Sequence, residues 1–584
     1  MDFWATGIAV KQLLSDYRRR LRSYDSVLAY SLLGVVGGIA SGLVVILFEF
    51  AIAESALLFG VGAGGNDFES LPTWMLFTLP VVGAAVLGLV FSTLKPEDRE
   101  TGIVHVLSRM HSHYSVLPLK NMLVQFFGGV FALATGQSGG REGPGIHLGG
   151  AINSLLGQRL GLPNNSLRML IACGTAGGIA AAFQTPLAGV IFAMEVIIAE
   201  YTVVGFVPVI LAAVSASTVS RTFAVGGGLI SLPQLELVSL AELPIVMLLG
   251  IVCGVAVAAF IRISRLAAGL GHWPVALRFI LAGVITGSLA LAVPEVLGLG
   301  YDTMQLAFTG QIAVTALLLI ALCKLFATAI TCGLGMPVGL IGPNLVIGAC
   351  LGGAFGALAE QWLPGGTVPE AYIVIGMGAA MGAVLNAPLA AILAVIELTG
   401  TLGLSVAALF AIVIATLTNS DLFRQRSAHQ SVLGQLRRSI PEDPLNRLLH
   451  RTDVNATMDN SAMRVPVIFT ESELIPLLEH TPHWCLVQRD DEDLYLVSGT
   501  ELRHWLEDAL AEAEDADVTE AGIRRWSTAP VPPEATLRQA MDAMRTNTAE
   551  TVYVVEKGAI TGRPVLHGVV TRESIERFTL ASVL

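Results

Sequence analysis

The sequence predicts a polytopic α-helical membrane protein made of two related halves and followed by a soluble α/β tail. Three observations predict it. Of 584 residues, 53% are hydrophobic and only 14% charged, and the mean hydropathy is +0.68, whereas soluble domains carry charge on roughly a quarter of their residues. The phrase GREGPGIHLGG at residues 140–150 is echoed by GLGMPVGLIGPNLVIGA at residues 333–349, each inside an apolar tract. After Ser420 the texture changes to short polar helices and strands.

Residues 1–30 contain KQLLSDYRRRLRSYDS, with Lys11, Arg18, Arg19, Arg20 and Arg22 ahead of the first long apolar run. No cleavable signal is expected, and this charge places the N-terminal end in the cytoplasm of a cell-membrane protein. Apolar runs recur at residues 31–53, 74–95, 120–136, 165–199, 202–223, 244–266, 276–296, 312–332, 343–360 and 371–418. They form a membrane domain over residues 31–435, with repeats at about 31–223 and 244–420. Several runs are short or interrupted by Gly and Pro, as in discontinuous membrane helices. The six cysteines, Cys173, Cys253, Cys323, Cys332, Cys350 and Cys485, show no CxxC spacing. They read as packing residues, with no metal site or disulfide framework.

The duplication has two independent marks. GTAGGIAAAFQTPLAGVIFAMEV at residues 174–196 matches GMGAAMGAVLNAPLAAILAVIEL at residues 376–398, with Pro186 over Pro388 and Glu195 over Glu397. Gly143-Pro144 likewise matches Gly342-Pro343. Membrane repeats of this kind are commonly inverted, with the binding site between them at the midplane. Small residues at close spacing also serve plain helix packing. An arginine and a glutamate at membrane depth are costly and therefore functional by default. A glycine-rich loop that opens a helix aims unpaired N–H groups forward, which makes an anion site.

The tail, residues 450–584, is acidic. Residues 421–584 hold 26 acidic and 17 basic groups, −9 of the net −12. No basic face suits nucleic acid, and residues 490–493 and 507–520 read as solvated loops. After Val465-Pro-Val-Ile-Phe, the first copy runs SELIPLLEH, CLVQ, DLYLVS and ELRHWLEDAL. The second runs ATLRQAMDAMRT, TVYVVE, LHGVV and RESIERF. Each reads as a helix, two short strands and a helix, together a compact domain of about 130 residues.

GREGP ahead of a helix, the repeated GxxxxGP loop and the paired tail module resemble the CLC family of chloride channels and chloride/proton antiporters with a C-terminal CBS pair. The resemblance covers essentially the whole chain. It implies a homodimer, each subunit with its own anion pathway, in which helix N-termini of two inverted repeats converge on a dehydrated chloride or other small anion. Glu142 matches the family's gating glutamate: ionised, it occupies the anion site; protonated, it leaves. A competing reading makes Glu142 the buried ion partner of Arg141. Arg141 itself reads equally as a donor to nearby carbonyls or as a field that favours anions. The anion-binding loops would be Glu100-Thr101-Gly102-Ile103-Val104, with Thr101 in place of the family's serine and Gly102 allowing close approach, then Gly140-Arg141-Glu142-Gly143-Pro144, then Gly339-Leu340-Ile341-Gly342-Pro343, with N–H donors near Leu340 and Ile341. Backbone amides attract chloride without holding it as a lysine would.

The chain departs from the family pattern in places. The inner proton glutamate of coupled members is here Val196, which tips the expectation slightly toward channel-like conduction over exchange. Glu195 reads as structural because Glu397 repeats it, and Glu200 lies one turn beyond Val196. His429, in SAHQSVL, falls against the family's inner gate tyrosine; an imidazole there donates to an anion and titrates near neutrality, or is a helix-end residue with no role. His147 either bonds across helices near the pore or packs. In the tail, Ser498 and Ser574 stand near the position of a ribose-gripping aspartate, so adenine nucleotide is not expected and no other cofactor is implied.

Fluoride export is a second reading, disfavoured by the full GREGP, with Met336 beside Pro337 as its one support. An enzyme is a third; no HExxH, paired aspartates or GxSxG elbow with a histidine partner supports it.

Overall fold

The computed structural model describes residues 27–62, 67–112, 115–162, 164–199, 203–223, 240–363, 367–400, 402–435, 448–449, 452–470, 475, 477, 480–489, 492–533, 535–557 and 564–583. The basic N-terminal stretch, Glu200 and most of SELIPLLEH lie outside them. The chain divides into a helical unit, residues 1–161 and 166–439, and a tail unit, residues 162–165 and 440–584.

The first half of the helical unit comprises α1 (Val27–Leu58), α2 (Thr73–Thr93), α3 (Gly102–Ser112), α4 (Leu119–Ala134), α5 (Glu142–Arg159), α6 (Asn164–Phe183), α7 (Pro186–Phe192) and α8 (Val203–Phe223). The second comprises α9 (Leu243–Ala268), α10 (Val275–Ala290), α11 (Tyr301–Phe308), α12 (Val314–Gly333), α13 (Ile341–Trp362), α14 (Pro369–Leu385), α15 (Pro388–Thr399), α16 (Ser405–Leu417) and α17 (Ala428–Gln435). Among the described residues, eight helices are long and apolar enough to cross a membrane.

Two of the apolar runs are broken, and the breaks correspond. Residues 165–199 divide at Pro186 and residues 371–418 divide at Pro388, because proline has no N–H for the preceding turn. The residue two before each proline, Gln184 and Asn386, takes φ of 58° and 54°, the left-handed conformation that ends a helix. The glutamates then cross over. Glu195 accepts from the N–H groups of Leu389 and Ala390 at 3.4 and 2.9 Å. Glu397 accepts from those of Leu187 and Ala188 at 2.9 and 2.8 Å. Each acid satisfies the orphan donors that open the short helix of the opposite half. Both are therefore structural.

Helix contact follows the same rule in both halves. A Cβ on Gly149 would strike the Gly174 carbonyl and one on Gly174 the Gly149 carbonyl; Gly348 and Gly376 stand in the same reciprocal relation. Helices α5 and α6, and α13 and α14, thus approach backbone to backbone, as small residues permit in membranes. Gly376→Val is expected to cost about 3 kcal/mol or more through overpacking, seen as loss of monodisperse protein in size-exclusion chromatography. Gly434→Val, with open space around it, is expected to leave the profile unchanged.

The tail has two copies of one sheet. Strands β1 (Ala462–Pro466), β3 (Trp484–Arg489) and β4 (Glu492–Ser498) form the first, with β1 parallel and β4 antiparallel to β3. Strands β6 (Thr528–Val531), β7 (Thr551–Lys557) and β8 (Pro564–Thr571) repeat that order and sense. A leading strand thus opens each copy, where the pattern predicts a helix first. A strand of four or five residues carries too little periodicity to be seen alone, and here it is held by a partner some 20 residues away. The 507–520 stretch also differs from its expectation as a solvated loop. Residues up to Glu512 belong to α18 (Gly499–Glu512), and β5 (Asp515–Asp517) pairs with β2 (Ile468–Thr470). Leu502, Leu506 and Ala516 bury into the first copy's core, which pulls the acidic residues between them into regular structure. The family's aspartate position is used for capping. Ser498 Oγ accepts from Glu501 N–H, and Thr571 and Ser574 cap the last helix (Arg572–Val583) reciprocally at 3.1 and 3.3 Å. All six cysteines are free.

Candidate functional site

The two glycine-rich loops meet each other. Gly140 N–H donates to Gly339 O and Gly339 N–H to Gly140 O, both at 2.7 Å. This one antiparallel bridge places the start of α5 against the start of α13, so two helix N-termini from opposite halves face a common point.

Glu142, the first residue of α5, sits at that point with 1% exposure. Its Oε2 accepts from Gly342 N–H at 3.1 Å, and its Oε1 has no partner. A carboxyl oxygen is thereby held at the α13 N-terminus, whose field favours an anion. The carboxylate leaves no room for a side chain at 342, because a Cβ there would lie 2.8 Å from Oε2 and 3.0 Å from both Oε1 and the Tyr301 hydroxyl.

Arg141 turns elsewhere. Its Nε lies 3.3 Å from Glu49 Oε1, and its guanidinium stands 5.3 Å over the Tyr301 ring. Arg141 is thus matched to Glu49 and Tyr301, while Glu142 is matched to a backbone amide of the other half.

A cavity of about 620 Å³ opens beside this junction and brings together Thr101, Gly102, Gly143, Leu340 and His429. Gly339 lines it too. Gly102 takes φ +70°, with no atom within 4 Å of a Cβ position, so glycine is required there by its backbone. Its N–H is committed to Gln125 Oε1 at 2.7 Å, and Gln125 Nε2 donates to Pro337 O at 2.9 Å, tying the first loop to the third. What Gly102 gives the cavity is space. Ile341 opens α13 and is fully buried, outside the cavity lining. His429 is 4% exposed, and its Nε2 is a buried polar atom with no protein partner, on a residue that lines the cavity. Arg99, Arg278 and Glu100 also line the cavity, leaving a net positive approach that concentrates anions.

Val196 falls in a wide π turn at Ala193–Ile198, half-buried and apart from the cavity lining. His147 bonds across helices: its Nε2 lies 2.8 Å from His105 Nδ1. Glu49, Tyr301, Gln125 and His105 escaped the sequence reading. Glu49 alone carried a signal, as an ionisable residue within the apolar run 31–53. Among the described residues, no group of three or more His, Cys, Asp or Glu is arranged to hold a metal ion.

Two duplicated halves, helix N-termini meeting at GREGP and GLIGP, and a cavity of net positive lining beside them define an anion-transport protein of broken-helix architecture. Residues 83–420 match the family model described as voltage gated chloride channel, and the chain belongs to this CLC family. It is 31% identical over 441 residues to the H(+)/Cl(-) exchange transporter ClcA of Vibrio cholerae serotype O1 (strain M66-2), covering 73% of this chain and 94% of that one. In fold it resembles a slow cyanobacterial Cl-/H+ antiporter (TM-score 0.62, 23% identity, 70% of this chain and 97% of that chain). It also resembles a eukaryotic CLC transporter over 96% of this chain and 98% of that chain (TM-score 0.55, 22% identity). The protein is a multi-pass membrane transporter of CLC fold, and its tail is compatible with a CBS-type α/β pair.

Proposed function

We propose that this protein exchanges chloride, and other small monovalent anions, for protons across the cell membrane, as a homodimer with cytoplasmic termini and one pathway in each subunit. The observation that carries the proposal is the Glu142 carboxylate accepting from Gly342 N–H. A side chain that rests where an anion would rest competes with it. Protonation removes the charge that holds the side chain there, so proton uptake and anion entry are linked at one group. Taken alone, Val196 tips the balance toward channel-like conduction. The exchange transporter that is 31% identical over 441 residues supports the opposite choice.

Of the loop residues, Thr101 and Leu340 face the cavity and are assigned to chloride, together with the amides of the α13 N-terminus. The tail is assigned a structural role without adenine nucleotide, since Ser498 and Ser574 already serve as caps.

Chloride run down its gradient from proteoliposomes in unbuffered medium, with a proton electrode, tests the reading. Chloride movement that drives protons the opposite way is expected. Chloride flux without proton movement would establish a channel, and fluoride outcompeting chloride would establish the exporter. His429→Phe keeps the ring and removes the donor; it is expected to weaken chloride binding by about 1 kcal/mol, roughly fivefold, in isothermal titration calorimetry. His429→Tyr, which restores a donor, is expected to recover most of that loss.

A further inference from the structure

The geometry points to the Tyr301 hydroxyl as a second hydrogen-bond donor at the place of the Glu142 carboxylate, where it also binds the anion that takes that place. The inference deepens the exchange reading and rests on it for the gate. It adds a ligand that neither glycine-rich loop contains.

Tyr301 opens α11 and is buried. Its ring lies under the Arg141 guanidinium at 5.3 Å. Packing accounts for the ring, because a phenylalanine would fill the same volume and meet the same cation. It does not account for the hydroxyl, a buried oxygen with no protein hydrogen-bond partner. Glu142 Oε1 is another such oxygen. Buried polar atoms are nearly always paired, and these two belong to one spot. A Cβ at Gly342 would stand 3.0 Å from each of them and 2.8 Å from Glu142 Oε2, the oxygen that accepts from Gly342 N–H at 3.1 Å. The phenol, the carboxyl group and the Gly342 amide thus surround a single point at the α13 N-terminus. A carboxylate or a halide accepts and never donates, whereas a phenol can donate and its hydrogen turns about the C–O bond. The O–H therefore serves either occupant without rebuilding. Two neutral donors, one amide and one phenol, attract a small monovalent anion without trapping it as a cation would.

The segment that delivers the hydroxyl is braced on two sides. Lys324, fully buried on α12, spends its ammonium on the carbonyls of Glu295, Val296, Leu297 and Gly298 at 3.1, 3.3, 3.4 and 3.4 Å. Gly298 N–H donates to Gly136 O at 3.4 Å, and Gly139 N–H to Gly298 O at 3.5 Å, which ties the same segment to the stretch leading into Gly140. Gly300 then turns the chain into α11 with φ +76°, and a Cβ there would stand 2.7 Å from Lys324 Nζ. Such support fixes a ligand before its anion arrives.

The charged groups that act on the Glu142 carboxyl are Arg141 and Glu49, which are paired with each other. On the other elements packed against α5, His105 of α3 is bonded to Arg109 and to His147, and Lys120 of α4 is paired with Asp98. Beside Tyr301, the charge of Asp302 acts on Lys324, as does Cys350 of α13. Tyr301→Phe alters none of these groups.

Two measurements read that substitution. In a Glu142→Gln background no carboxylate competes, and adding Tyr301→Phe is expected to lower chloride affinity about tenfold in isothermal titration calorimetry, the effect of losing a hydrogen bond to a charged acceptor. In the otherwise wild-type protein, chloride flux from proteoliposomes is followed across pH. An O–H donated to the carboxylate favours its ionised form, so losing it is expected to move the midpoint of acid activation up by about one pH unit, the same tenfold. A ring that merely packs moves neither quantity. Unchanged chloride affinity in the glutamine background overturns the assignment, and so does a midpoint that stays in place. If the double variant does not fold, the midpoint decides. Wild-type flux that ignores acid would instead overturn the gate reading, and the calorimetric comparison would still decide for Tyr301.

Discussion

Glu142→Gln is expected to give chloride flux that no longer varies with pH and drives no protons. Under the proposed exchange, the ionised Glu142 carboxylate that accepts from Gly342 N–H competes with the anion for this place. Lowering pH protonates the carboxylate, so flux rises as pH falls and declines as pH rises. Glutamine is neutral at every pH and imitates the protonated gate, so the variant should run at the acidic wild-type rate throughout, with its proton movement abolished. Flux measured across the range from acid to alkaline pH checks this. Flux in the glutamine variant that still rose steeply with acidity would remove Glu142 from the gate.

Gly342→Ala reaches the same gate from the other side. The added methyl would stand 2.8 Å from Glu142 Oε2 and 3.0 Å from Oε1, so the carboxylate must swing off the amide. A hydrogen bond to a charged group contributes about 1.5–3 kcal/mol, which corresponds to roughly tenfold to a hundredfold in how often the gate is closed. Chloride flux at alkaline pH is therefore expected to rise toward the acidic level while Glu142 still binds protons. Some proton coupling should persist, in contrast to the glutamine variant. Unchanged alkaline flux would show that the carboxylate does not obstruct the anion.

The place of Glu142 and its opposing helix were readable in the sequence because their chemistry is local. A glutamate in a glycine-rich loop that opens a helix states its own environment, and the Gly342-Pro343 echo states where the second helix begins. The paired breaks at Pro186 and Pro388 were readable for the same reason. The supporting cast was not. Arg141 reads beside Glu142 in sequence, yet its ion pair is with Glu49, on a different helix. Gln125 reads as one polar residue in an apolar helix, and only the fold shows it joining Gly102 to Pro337. Tyr301 adjoins Glu142 because α11 ends its loop against α13, which no spacing foretells.

The sequence by itself determined the membrane class, the duplication, the two loop motifs and the soluble tail, since each depends on residue type and short-range period, which survive without coordinates. Tertiary structure alone decided who faces whom: that Glu195 and Glu397 cap each other's half, that Arg141 is matched to Glu49, and that His105 joins His147 across 42 positions of chain. Hydrogen bonds and ion pairs act over about 3 Å, and only the packing of the two halves brings such distant residues within that range.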